Sequence, residues 1–123
     1  MRKIIHDCDC TFGINGCDVD DGLALLYLLG DPEVQVLGVT TTYGNSVIED
    51  VYPNTVRFLK QIGRADIPVY EGGACPGELD SEASRYLAEM AEKHAGETNR
   101  INGWNYRTIN LCKKTDGRAE FLL

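Results

Sequence analysis

Residues 2–30 read RKIIHDCDCTFGINGCDVDDGLALLYLLG and carry the pattern that decides the fold. Residues 3–8 are predicted to form a short strand that ends in acidic residues, and the loop after it contains Gly13 and Gly16. Residues 20–29 are predicted to form a helix whose apolar side chains cover nearly all of its faces, which is typical of a buried helix. A strand followed by such a helix indicates the start of an α/β fold.

The alternation of strands and helices continues to about residue 95. Residues 34–43 form a β-branched run typical of a strand covered on both faces, and residues 67–70 form a third short strand. Residues 47–62 are predicted to be helical, with Pro53 either kinking one helix or beginning a second. Asp80 is predicted to cap a helix that runs to about residue 95. The order βαβαβα predicts an open parallel sheet with helices on both faces.

Composition and charge exclude several classes of protein. The chain has 123 residues, of which 43% are hydrophobic, and its formal net charge is −7. These values predict one acidic globular domain that binds neither nucleic acid nor membranes. Because no apolar stretch reaches ~18 residues and the N-terminus lacks a signal peptide's apolar core, we expect a cytoplasmic protein.

Five cysteines without a secretion signal argue against a disulfide framework and favour reduced thiols packed as small hydrophobic side chains. Cys8, Cys10 and Cys17 lie close together in the sequence, so zinc is an alternative. Their spacing lacks a C-x2-C pair, and the surrounding carboxylates suit a harder cation.

Acidic and amide side chains follow the predicted strands. Asp7 and Asp9 end the first strand, Asp20 and Asp21 begin the following helix, and Asn45 follows the second strand. In open parallel sheets, ligands bind at the carboxyl ends of the strands, so we expect these residues to converge there. Crowded carboxylates repel one another unless a cation neutralises them, and an all-oxygen set suits calcium or magnesium. Taken singly, each residue also has a simpler role as a cap, loop or turn residue.

Three segments together resemble the N-terminal part of the inosine–uridine-type nucleoside hydrolases. They are IIHDCDCTFGINGCDVDDGLALLYLLG at residues 4–30, VLGVTTTYGN at residues 36–45 and RADIPVYEGG at residues 64–73. The family signature is a strand followed by D-x-D, a DD pair that opens an apolar helix, and G-V-T-T-x-x-G-N. The resemblance covers residues 2–96 and implies a truncated Rossmann-like nucleoside hydrolase fold.

The resemblance implies hydrolysis of the N-glycosidic bond of a ribonucleoside to base and ribose by a Ca2+-activated water, in purine or pyrimidine salvage. Asp9 would bind calcium and act as general base, and Asp21 would be a second calcium ligand. Asp20 would bind a ribose hydroxyl, Asn45 would contact the ribose, and Asp7 would support the cluster. Such carboxylates would also stabilise the oxocarbenium-like sugar of the transition state.

This sequence departs from the family pattern in two ways. The family has a short D-P-G-x-D-D loop, whereas residues 10–19 separate Asp9 from Asp20 here, so Asp18 competes with Asp20 for the ribose. The family domain is also well over twice as long, and its later parts supply further calcium and ribose ligands. We therefore expect the chain alone to be inactive.

The charge and composition change near residue 97. Residues 1–96 hold 7 basic and 16 acidic side chains, a balance of −9, whereas the balance of residues 97–123 is +2. A buried strand is expected next, but residues 101–106 read INGWNY. Codons for this hexapeptide read one base later can encode Leu-Met-Ala-Gly-Thr-Thr, which resembles the family strand. We predict a reading-frame shift with an early stop after residue 123. The alternative is a genuine short paralogue.

Without a fourth strand the sheet keeps an open edge, so we expect marginal stability and association into a homo-oligomer.

Two alternative functions remain. The segment IIHDCDCTF also fits the D-x-D-x-T motif of haloacid-dehalogenase-type phosphatases, which use Mg2+. In that alternative Asp7 is the nucleophile, Asp9 the acid/base and Thr11 a phosphate contact. The other alternative is a non-catalytic truncated fragment.

Overall fold

Strands and helices alternate along the chain. The structure is a computed structural model that describes residues 1–78 and 80–94. The elements, in chain order, are β1 (Arg2–Cys8), α1 (Asp20–Gly30), β2 (Val34–Thr41), α2 (Ile48–Gln61), β3 (Val69–Tyr70) and α3 (Glu82–Lys93). The segment from residue 97 and its predicted frame shift lie outside the described residues.

The strands form one parallel sheet in the order β1-β2-β3. β1 pairs with β2 along its whole length, from Arg2 opposite Val34 to Cys8 opposite Thr41, with one shift of register near Ile4. β3 is short and adds two pairs to β2. The predicted parallel sheet is confirmed, although β2 ends two residues earlier than the predicted 34–43, and β3 begins two residues later than the predicted 67–70.

Helices cover both faces of the sheet. Neighbouring residues of a strand point to opposite faces. Val39 is fully buried in a core cluster with Leu25 of α1 and Leu59 of α2. A side-chain carbon at the preceding residue, Gly38, would lie 2.9 Å from the hydroxyl oxygen of Tyr86 in α3. Helices α1 and α2 therefore pack on one face and α3 on the other, as the sequence predicts.

The core cluster contains two cysteines among its apolar side chains. Its buried members are Cys8, Cys10, Leu25, Val39, Phe58, Leu59 and Ile67. All four cysteines of the described residues are free thiols. The prediction that the cysteines pack as small hydrophobic side chains holds for Cys8 and Cys10, whereas Cys17 is half-buried and Cys75 is exposed.

The prediction that α1 is buried on nearly all faces is wrong for the described residues. Leu25 is fully buried, but Leu23 is 53% exposed, Leu26 39% and Tyr27 78%. The reason is that α1 packs against one sheet face, so only the side chains directed at that face are covered. We call Leu23, Leu26 and Tyr27 the outer surface of α1.

Helices α2 and α3 settle two further points. Pro53 lies inside a single helix, α2, so no second helix begins there. Ser81, and not Asp80, caps α3, because the Ser81 hydroxyl oxygen accepts a hydrogen bond from the Ser84 backbone N–H at 3.1 Å. Asp80 instead forms a surface ion pair with Arg85.

In the part of the chain that is described, no helix has the length and apolar character needed to cross a bilayer.

Candidate active site

Asp9 lies at the carboxyl edge of the sheet, one residue after β1, and both its backbone and its side chain are held. Its backbone N–H donates to a carboxylate oxygen of Asp21 at 2.9 Å. Its own carboxylate accepts from the backbone N–H of Asn45 at 2.8 Å. Three of the residues predicted from the sequence therefore meet here, where the ends of β1 and β2 adjoin the start of α1.

Gly44 makes the approach of Asp9 possible. It has a φ of +156°, and a side-chain carbon there would collide with the Asp9 carboxylate oxygen. A residue without a side chain is thus needed both for the conformation and for the space. Gly44 was not among the predicted site residues, although the G-N pair that follows β2 is a signal that could have identified it.

Asp7 lies at the same edge. Because neighbouring residues of a strand point to opposite faces of the sheet, its side chain is on the other face from the side chain of Cys8. The Thr40 hydroxyl donates to its carboxylate at 2.6 Å. Burial raises the pKa of Asp7 to about 7, with smaller contributions from the charges of Asp21 and Asp9, and the Thr40 hydrogen bond opposes this rise. Sequence reasoning missed Thr40, because the run of threonines does not reveal which of them faces a carboxylate.

Asp21 is also crowded by its neighbours. Its pKa is raised to about 7, mainly by burial, with contributions from the contact with the Asp9 side chain and from the charge of Asp20. The backbone N–H of Asp9 opposes the rise by stabilising the charged form. Burial and the neighbouring charges thus disfavour the charged forms of both Asp7 and Asp21.

Asp20 and Asp18 stand apart from this cluster. Both are exposed, and Asp20 acts on the cluster only through its charge near Asp21. The backbone carbonyl of Asp18 accepts a hydrogen bond from the Thr11 hydroxyl at 2.8 Å, which folds the loop back on itself.

The donor chemistry suits a hard cation and not zinc. Burial raises the pKa values of the Cys8 and Cys10 thiols, so these side chains stay protonated within the core. The polar atoms at the edge are carboxylate oxygens, which fit calcium or magnesium. Within residues 1–78 and 80–94, however, no three His, Cys, Asp or Glu side chains are grouped so that they could hold a metal ion. The described residues by themselves thus contain no complete metal site.

Comparisons with known proteins agree with the motifs. The family model described as inosine-uridine preferring nucleoside hydrolase matches residues 4–114. This range includes residues 97–114, which belong to the segment for which we predict an altered reading frame. That altered frame stays a prediction.

Individual relatives match the N-terminal portion over shorter stretches. An uncharacterized protein in the ribF 3' region of Corynebacterium ammoniagenes is 47% identical over 66 residues, 54% of this chain and 72% of that protein. The pyrimidine-specific ribonucleoside hydrolase RihA of Photobacterium profundum is 39% identical over 75 residues, 61% of this chain and 22% of the relative. The protein named "Probable uridine nucleosidase 2" of Arabidopsis thaliana is 39% identical over 71 residues, 58% of this chain and 20% of the relative.

The aligned part of this chain thus spans about a fifth of each of the two relatives that are named for acting on nucleosides. The family model, by contrast, matches most of this chain, including the carboxyl edge with Asp9, Asp21 and Asn45. The chain belongs to the inosine-uridine preferring nucleoside hydrolase family.

Proposed function

We propose that this chain carries the N-terminal part of a ribonucleoside hydrolase site that uses Ca2+ and cleaves the N-glycosidic bond to free base and ribose. The observation that carries the proposal is the meeting of Asp9 with Asp21 and Asn45 at the carboxyl edge, in a chain of this family. Ligands of open parallel sheets bind at this edge. The substrate class is a purine or pyrimidine ribonucleoside.

Asp9 has the environment that a metal ligand and general base needs. The Asn45 backbone N–H donates to one oxygen of its carboxylate at 2.8 Å, which fixes the side chain at the edge. Calcium, when bound, would lower the pKa of a water molecule and hold the sugar hydroxyls, so the base needs little strength. Asp9 would take the proton of that water, and Asp21 would supply the second calcium-binding carboxylate.

The remaining predicted residues have supporting roles in the proposal. Asp20, exposed at the start of α1, is free of the crowding that affects Asp21 and is proposed to bind a ribose hydroxyl. Asn45 is proposed to contact the ribose, since its backbone is already fixed against Asp9. Asp7, buried and bound by Thr40, is proposed to be a supporting carboxyl group of the cluster. Negative charge close to an oxocarbenium-like sugar stabilises the transition state.

The chain by itself is proposed to bind calcium weakly and to show negligible turnover. Its described residues contain no group of three metal-binding side chains, and its aligned part spans about a fifth of the two relatives named for acting on nucleosides. Residues that act as a unit in catalysis fail together when some are missing. Weak binding here means a Kd of about 1 mM, the range of calcium sites with few charged ligands.

The phosphatase alternative lacks one of the phosphate contacts that it requires. It assigns Thr11 to the phosphate, but Thr11 is 1% exposed and its hydroxyl donates to the Asp18 carbonyl. A side chain that is buried and already bonded in this way is a poor phosphate contact. The nucleoside hydrolase proposal makes no demand on Thr11.

Calorimetric titration with CaCl2 tests the proposal. Asp9→Asn and Asp21→Asn should each weaken calcium binding by about tenfold or more, because each removes a charged ligand. Asp66→Asn is the matched control, since Asp66 is an exposed carboxylate paired with Arg64 away from the edge. The control should bind calcium as the unaltered chain does. Equal calcium uptake by all four proteins would refute the assignment.

A further inference from the structure

One face of α2 holds the long loop that follows Asp9. Asn54 is 6% exposed, and its side-chain nitrogen donates to the carbonyl oxygens of Cys10 at 3.1 Å and Phe12 at 3.2 Å. Its side-chain oxygen accepts a hydrogen bond from Arg57. An asparagine side chain offers two donor hydrogens and one oxygen, and Asn54 uses all of them.

Two neighbours of Asn54 on α2 contact the same loop. The Arg57 guanidinium lies 3.5 Å from the Phe12 carbonyl oxygen, and the Phe58 ring packs against the Phe12 ring with centroids 5.1 Å apart. Residues spaced three and four apart share one face of a helix. We call Asn54, Arg57 and Phe58 the α2 clamp.

The pairing of β1 with β2 does not by itself fix Asp9. Asp9 is the first residue after β1, and at this end the backbone N–H of Thr42 bonds to the carbonyl of Cys8 at 3.0 Å. The next backbone carbonyl beyond Asp9, that of Cys10, is held by Asn54. The N–H that holds the Asp9 carboxylate comes from Asn45, just before α2. Apart from the Asp21 carboxylate in α1, which accepts from the Asp9 backbone N–H, these two attachments come from α2 or the loop that leads into it.

We propose that Asn54 is a positioning residue for Asp9. Its two donated hydrogen bonds fix the chain immediately after Asp9, and so direct the Asp9 carboxylate onto the Asn45 N–H. Loss of the amide would take the Asn54 donor from the Cys10 carbonyl and leave the Phe12 carbonyl with the longer Arg57 contact, so the loop would move to hydrate these groups. The consequence for metal binding rests on the proposed function, whereas the positioning itself does not.

The backbone amide of Asn45 reports the position of the Asp9 carboxylate without calcium. An N–H that donates to a carboxylate forms a stronger hydrogen bond than one that donates to a neutral acceptor, and its proton resonance lies further downfield. In 15N–1H spectra of the calcium-free chain, the difference between the unaltered protein and Asp9→Asn gives the change in the Asn45 chemical shift that the Asp9 carboxylate causes. Asn54→Ala should move the Asn45 resonance towards the position seen in Asp9→Asn.

Thr55→Ala is the matched control. Thr55 is also fully buried in α2, but its hydroxyl donates to the Val51 carbonyl of the same helix at 2.8 Å. This variant loses a buried hydrogen bond and the Thr55 contact with the Cys10 side chain, but the carbonyls of Cys10 and Phe12 stay bonded to Asn54, so the Asn45 resonance should stay in place. Asn54→Asp keeps the shape of the side chain and loses the donors, and it serves where the alanine variant fails to fold.

The outcomes separate the two proposals. If the folded Asn54→Ala or Asn54→Asp chain leaves the Asn45 resonance where Thr55→Ala leaves it, the positioning role of Asn54 is overturned. Calcium titration of Asn54→Asp should give about tenfold weaker binding, the usual effect of losing a residue behind a metal ligand. If the unaltered chain takes up no calcium while the resonance still responds to Asn54→Asp, the metal assignment fails and the positioning role stands.

Discussion

The carboxyl edge of the sheet and the outer surface of α1 differ in how well the described residues hold or cover their side chains. At the edge, the side chains of Asp7, Asp9 and Asp21 each accept a hydrogen bond between 2.6 and 2.9 Å. On the outer surface of α1, Leu23 and Tyr27 are more than half exposed. The edge needs two adjacent strands, the loops beside them and the start of α1, whereas an apolar helix surface needs a further layer to cover it. The described residues thus hold the edge carboxyl groups in place and leave this surface of α1 exposed.

The largest expected effect is on turnover, and it requires a complete site. In a chimaera, residues 1–78 of this chain would replace the matching segment of a full-length ribonucleoside hydrolase. Asp9→Asn should lower kcat/KM by about 10²–10⁴, because one residue is asked both to bind the metal and to take a proton. Asp18→Asn should have a far smaller effect, since Asp18 is exposed and outside the cluster. Loss of turnover in Asp18→Asn, with Asp9→Asn still active, would show that the long loop has been aligned wrongly.

The second effect concerns stability and tests the two sides of α1 against each other. Leu25→Ala should cost about 2–5 kcal/mol of the free energy of unfolding, because Leu25 is fully buried in the core cluster. Leu23→Ala should cost less than about 0.5 kcal/mol, because Leu23 is 53% exposed. Urea unfolding of both variants gives the comparison. Similar costs would mean that the outer surface of α1 is covered in solution.

The smallest expected effect isolates the space that Gly44 leaves for Asp9. Gly44→Ala should strain the backbone by about 1–3 kcal/mol and also displace the Asp9 carboxylate, which weakens calcium binding. Gly63→Ala is the control, because Gly63 has a φ of +75° but no atom near a new side chain. It should lose stability while its calcium affinity stays unchanged. Calorimetry and thermal melts on both variants would show whether affinity and strain separate as expected.

Much of the edge could be predicted from the sequence because it depends on local order. Alternating apolar runs and turn residues predict β1, β2 and a parallel sheet, and the carboxyl ends of neighbouring parallel strands must adjoin. Asp9, Asp21 and Asn45 lie next to those ends, so their meeting follows from topology. Asp20 lies beside Asp21 in the sequence but is exposed to solvent, because adjacent residues of a helix do not share a face.

The other parts of the site depend on contacts between residues distant in the sequence. Asn54 bonds to Cys10 across 44 positions, and Thr40 bonds to Asp7 across 33. Neither pairing has a local pattern, because each depends on how α2 or β2 packs against the chain near the end of β1. The exposure of α1 was missed for a related reason. An apolar helix shows in its sequence that it can be buried, but not how much protein is present to cover it.

A calcium titration followed residue by residue in 15N–1H spectra tests the central claim most directly. The account predicts that the amide resonances of Asp9, Asp21 and Asn45 shift together and saturate with one Kd of about 1 mM. The resonance of Tyr27, on the outer surface of α1, should stay in place. Shifts spread evenly over exposed acidic residues such as Asp66, or no shift at the carboxyl edge, would contradict a calcium site built on Asp9.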